Sequence, residues 1–131
     1  GETVYSDQWD GYPAARSRLL DQLARPNVSN PLVLSADVHS FWLNDLHQTE
    51  GKPPVATEIV TAALAAQSPP AGRFGDVRAN NPHIRFSDVQ HSGYVRIHIE
   101  PTRLAAQFRA LDLKSVQPAP KVLQEIEQDA M

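Results

Sequence analysis

The sequence predicts an α/β fold, and three observations carry that expectation. Apolar residues Ala15, Leu19, Leu20 and Leu23 recur at helical spacing between Pro13 and Arg25, with Arg16, Arg18, Asp21 and Gln22 on the other face. After a turn comes Leu32-Val33-Leu34, a run hydrophobic on both faces, as in a buried strand of a largely parallel sheet. In the last third, Tyr94, Arg96, His98 and Glu100 alternate with Val95, Ile97 and Ile99, and the alternation resumes from Leu104 to Leu111 after Pro101-Thr102-Arg103. That is the pattern of an antiparallel hairpin.

Taken in order, Gly1 to Tyr12 is a polar, aromatic-bearing lead-in without periodicity. Trp9-Asp10-Gly11-Tyr12 stops extended structure, and Pro13 suits the first turn of a helix, with Asp10 a candidate cap. Pro26 ends the helix and Asn27 to Asn30 turns the chain into the strand. Helix, turn and strand in this order form half of a βαβ unit, so an upstream parallel strand, not necessarily within these residues, is expected beside Leu32–Leu34.

Polarity changes abruptly where that strand ends, at Asp37 and His39. Open α/β sheets present ligands and catalytic groups at this end of their strands. On an extended segment a carboxylate and an imidazole two residues apart point to one side, so both reach one cation or two neighbouring ones. The plain alternative is that Asp37 turns the chain and His39 is a half-buried polar residue. Phe41 and Trp42 are expected to wall the site, while Asn44 and Asp45 either orient a ligand or face solvent.

His47 to Pro54 reads as a polar loop and Val55 to Val60 as a strand beside the Asp37 strand. Glu58 within it is a candidate to bond a bound water or His39, its alternative being an exposed face. Ala62 to Asn80 reads as a surface excursion, starting helical and broken at Pro69-Pro70. His83, after Asn81-Pro82, is either a metal-site imidazole or a loop residue. His47, His91 and His98 share no metal spacing and read as structural. Arg96 and Arg109 have the chemistry to hold a phosphate, although alternation favours a solvated face with cross-strand ion pairs. The tail, 114–131, carries Pro118 and Pro120 and is expected to finish as a short helix through Val122, Leu123 and Ile126.

Composition narrows the classes. The 131 residues fit one domain or part of one, and a hydrophobic content of 41% is ordinary for a folded chain. A net charge of -3, with 12 Lys and Arg spread along the chain, gives no nucleic-acid-binding signature. Without cysteine there are no disulfides or thiolate ligands. No signal peptide and no apolar run near the ~20 residues of a membrane span occur.

Five segments in order resemble the C-terminal part of alkaline phosphatase D (PhoD-like) enzymes: DQWDGYPAARSRLLDQL, NPLVLSADVHSFWLNDL, PVATEIVTAAL, NPHIRF and SGYVRIHIEPTRLAAQFRALD. The resemblance implies the C-terminal part of a metallophosphoesterase-type two-sheet sandwich, with a mixed sheet and the antiparallel hairpin near the C-terminus. It also implies a multi-metal centre that hydrolyses phosphate mono- and diesters. The family's usual Gly-Asp-Val-His reads Ala36-Asp37-Val38-His39 here, so Asp37 and His39 are the metal ligands by resemblance. Ala in place of Gly tightens the turn if that position takes a positive φ. Matching Trp-Asp-Gly-Tyr makes Asp10 a candidate to support a ligand or touch substrate.

By the same resemblance the ions are iron with calcium, while N and O donors also admit zinc or manganese. The family's other ligand motifs, Asp-x-x-Asp and Asn-His-[Asp/Glu], do not occur here. One Asp and one His are fewer donors than any such ion takes. The expectation is therefore an isolated chain that is inactive, completed by an N-terminal part of the enzyme or by a second copy. Export to the periplasm or cell surface is expected from the resemblance. The alternative is a non-catalytic fragment or assembly module that keeps the fold.

Overall fold

Pro13 opens helix α1 (Pro13–Leu23), which ends two residues before the sequence pattern does. In the computed structural model, which describes residues 8–66, 68, 70, 77–117 and 119–129, the residue before the helix is Tyr12, and no side chain caps it. Asp10 is thus not the cap; it lies in a single 3-10 turn, Trp9–Gly11. Leu20 is the buried residue of α1, and Gln48 donates to Asp21 Oδ1 at 2.8 Å, tying the helix to a loop of the first sheet.

That sheet is mixed. Its strands are β1 (Leu32–Ser35), β2 (Phe41–Leu46), β3 (Ala56–Val60) and β4 (Ile84–Asp88), in spatial order β1-β3-β2-β4. β1 runs parallel to β3, with Val33 opposite Glu58, while β2 is antiparallel to both β3 and β4. The expected burial of Leu32–Leu34 on both faces is not met. β1 is an edge strand among the described residues, and Leu34 is 62% exposed.

The second sheet is antiparallel, β5 (Ser92–Glu100), β6 (Arg103–Leu111) and β7 (Lys121–Asp129) in sequence order. β5 and β6 form the expected hairpin, with Glu100 opposite Arg103 across the turn. β7 replaces the helix expected in the tail. Val122, Leu123 and Ile126 have helical spacing, yet pairing with β6 from Ala110↔Lys121 to Arg103↔Asp129 supplies eight paired positions, broken by one bulge, that an isolated short helix could not match. β2 and β4 were not legible as strands either. The Ala-rich start of the 62–80 excursion forms no helix within residues 61–66. The excursion closes with a one-turn helix, α2 (Val77–Asn80), while Pro69 and residues 71–76 lie outside the described residues.

The sheets pack face to face. Phe41, Leu43 and Ile59 from one meet Ala106, Phe108 and Ile126 from the other. Phe108 is the hub, edge-on to Phe41 at 5.9 Å and to Phe86 at 5.2 Å between ring centroids. Burying one such ring contributes about 2–3 kcal/mol. Phe41 is accordingly core, 0% exposed, rather than a wall of the site.

Candidate functional site

The chemistry-bearing segment is the five-residue loop from Ala36 to Ser40 between β1 and β2. Asp37 has φ 78° and His39 φ 55°, both left-handed. The pair therefore lies on a bend and not on an extended strand, so the alternation argument does not govern it. Ala36 is not among the positive-φ residues, so its methyl is not strained in the way a Gly replacement raises. Asp and His are several-fold enriched in this region of backbone space, where each residue costs on the order of 1–3 kcal/mol and clusters at functional sites.

What holds the bend is a polar pin beneath it. Ser40 is fully buried; its hydroxyl accepts from Trp42 Nε1 at 2.7 Å and donates to the Val38 carbonyl at 3.2 Å. Above the pin, Asp37 is exposed and His39 half-buried. A carboxylate open to solvent and an imidazole partly shielded are an O and N donor set suited to borderline or hard cations. Among the described residues no three carboxylate, imidazole or thiol groups come together closely enough to hold a metal.

Glu58 does not reach the loop directly. Its Oε1 accepts from Ser35 Oγ at 2.7 Å and its Oε2 from Asn44 Nδ2 at 2.8 Å, so it clamps the end of β1 to β2 across β3. Asn44 Oδ1 is buried without a partner among the described residues. Asp45, the other polar residue of β2, pairs with Arg85 at 3.4 Å. His83 stands just before β4, and its carbonyl accepts from the Asp45 N–H at 2.8 Å. Because Phe41 lies opposite Asp88 and Asn44 opposite Ile84, His83 is at the far end of β4, roughly 15 Å along the strand from the loop end. The structure therefore does not gather His83 with Asp37 and His39. The side chain of Asp10 lies outside the described atoms.

Two groups at the loop end escape sequence reasoning. One is the Ser40–Trp42 pin. The other is Asp88 with His91: Asp88 Oδ1 accepts from the N–H groups of Gln90 and His91 at 3.1 and 2.9 Å, and His91 Nδ1 lies 2.9 Å from Asp88 Oδ2. The signal in the sequence is an Asp at the head of a polar turn with His three residues on, a weak one. On the second sheet, Arg109 donates to Tyr94 Oη at 3.3 Å, and Arg103 and His98 pair with Glu127 and Glu100. Cross-strand pairing is thus the use the structure shows for most of that face.

Fold and loop together define a two-sheet α/β sandwich that carries an Asp-x-His element at the exit of its parallel strand. The model of the PhoD-like phosphatase family matches residues 1–108, and the chain belongs to that family. It is 36% identical over 117 residues to alkaline phosphatase D of Bacillus subtilis (strain 168), a match covering 82% of this chain and 20% of that protein. A solved structure of PhoD superposes with a TM-score of 0.81 at 28% identity, covering 94% of this chain and 25% of the other. The 131 residues thus span about a fifth to a quarter of the length of these relatives. The expected fold, a mixed sheet packed on an antiparallel one, is the fold observed.

Proposed function

We propose that this chain provides one side of the metal centre of a phosphoester hydrolase, an alkaline phosphatase or phosphodiesterase, with Asp37 and His39 as ligands. The observation that carries the reading is the pinned Ala36–Ser40 bend, where left-handed backbone is maintained at both donor residues and at no other residue of the loop. Backbone held against its preference at two chemistry-bearing residues points to a use for their positions.

The O and N donors fit iron, with calcium beside it, and equally zinc or manganese. A cation bound there would act as a Lewis acid toward the phosphoryl group. The protein's share is positional. Ser40 and Trp42 set the bend, and Glu58 fixes Ser35, two residues before Asp37. Further ligands must come from outside the described residues. β1 offers a route, because among the described residues its outer edge is unpaired and accepts another strand, and Leu34 lies open there. We place the enzyme outside the cytoplasm, as an exported protein; among the described residues no helix is long and apolar enough to cross a membrane.

The test is hydrolysis of p-nitrophenyl phosphate and bis(p-nitrophenyl) phosphate by the native gene product containing these residues, and by the 131-residue chain alone. Turnover by the former and none by the latter is expected. Absence of turnover in both, after loading with iron, calcium, zinc and manganese, leaves the assembly-module reading in its place.

A further inference from the structure

The Asp88–His91 pair stands at the same end of the first sheet as the Asp37–His39 loop. Asp88 lies opposite Phe41, two residues past His39. With opposed antiparallel residues about 5 Å apart and two residues of chain spanning at most ~7 Å, the Cα atoms of His39 and Asp88 are within roughly 13 Å. His91 follows three residues on, at the end of the bend that links β4 to β5.

The pair is built more tightly than a turn requires. The two backbone N–H groups already satisfy the Asp88 carboxylate as a turn former, yet the imidazole is also drawn in, with Nδ1 at 3.0 and 2.9 Å from the two carboxylate oxygens. Asp88 is shielded, its side chain 18% exposed, whereas that of His91 is 44% exposed. A half-buried carboxylate thus holds a more exposed ring through one nitrogen. Nε2 is left to meet a ligand and has no partner among the described residues. Orientation of an imidazole by a carboxylate on its other nitrogen is how such rings are set for proton transfer or metal binding. Metal content tells the two uses apart, since replacing a ligand lowers it and replacing a proton donor does not.

We propose that His91, oriented by Asp88, is the proton donor to the leaving-group oxygen of the phosphoester hydrolysed at the Asp37–His39 loop. This rests on the phosphoesterase reading above. As an imidazolium the ring donates from both nitrogens, Nδ1–H to Asp88 and Nε2–H to the ester oxygen. The bond from phosphorus to that oxygen breaks while an oxygen from water bonds to phosphorus. The Nε2 proton passes to the departing oxygen, giving the alcohol and leaving a neutral ring protonated on Nδ1. Water then returns a proton to Nε2, and the sum is ester plus water giving alcohol plus phosphate.

The test compares the native gene product with its His91→Asn, His91→Gln and Asp88→Asn variants across esters of p-nitrophenol, phenol and simple alcohols. His91→Asn keeps a donor where Nδ1 stands, and the turn itself rests on backbone N–H groups, so the fold is retained. A proton donor matters more as the leaving group becomes more basic. The expected loss in kcat/KM therefore grows along the series, reaching about 10²–10⁴-fold for alkyl esters. Asp88→Asn should follow the same trend with smaller losses, and metal content should stay at the parent's level in all variants. A loss equal for every leaving group, no loss, or a loss of metal overturns the proposal while the phosphoesterase reading stands. A parent inert toward all the esters overturns both.

Discussion

Asp37 and Glu58 show how single residues divide the work of this region. Asp37 sits in left-handed backbone and is open to solvent, so its position reflects an outward use more than internal packing. Glu58 is the reverse, a carboxylate whose two oxygens are both occupied inside the protein, by Ser35 and Asn44. Glu58→Gln should be tolerated within about 1 kcal/mol, because the Asn44 amide can turn its unpartnered Oδ1 toward the new NH₂ group while Ser35 keeps its acceptor. Glu58→Leu orphans both Ser35 and Asn44 and should cost about 2–6 kcal/mol, one desolvation penalty of ~1–3 kcal/mol for each partner. Urea denaturation of the two variants separates these outcomes. Equal stability of the two would show that the clamp contributes nothing.

Among the elements, the β5–β6 hairpin was the most legible, since one face is buried and period-two alternation therefore runs through it. β7 was not. Ile126 is its one fully buried residue, and with Val122 and Leu123 it mimics a helix stripe that only pairing to β6 overrides. β2 was hidden for a different reason. Phe41, Trp42 and Leu43 are all buried, so apolar residues fall on both faces and no alternation shows. The ordered family segments single out Asp37 and His39 in the sequence, but not the bend on which the structure places them. A left-handed φ at a non-glycine residue depends on the Ser40–Trp42 pin and on closure between β1 and β2, neither of which a spacing records.

Where the hairpin meets the core, Gly93 (φ 157°) sits under Phe41, and an added Cβ would lie 2.1 Å from the Arg109 carbonyl and 2.9 Å from the Phe41 ring. The obstacle is backbone of the paired strand, which cannot swing aside. Gly93→Ala should therefore cost more than about 2 kcal/mol and loosen the start of β5. Thermal unfolding and amide exchange at Tyr94 and Val95 report it. Wild-type stability in that variant would mean that the backbone of β6 and the Phe41 ring lie further from Gly93 than the structure has them.

At the scale of the whole molecule, two sheets share one aromatic core, while the polar pin, the bend and the Asp88–His91 pair gather at one end of the first sheet. β1, an edge strand among the described residues, leads into that end, and the chain spans about a fifth of its Bacillus subtilis relative. The proposed function requires a site assembled from this end and from residues beyond the described ones. The most direct test is metal stoichiometry, by elemental analysis, of the native gene product containing these residues beside its Asp37→Asn and His39→Asn variants, with folding checked by circular dichroism. Bound metal is expected in the parent, with the loss of at least one ion per chain in each folded variant. Parent-level metal in both variants would contradict it.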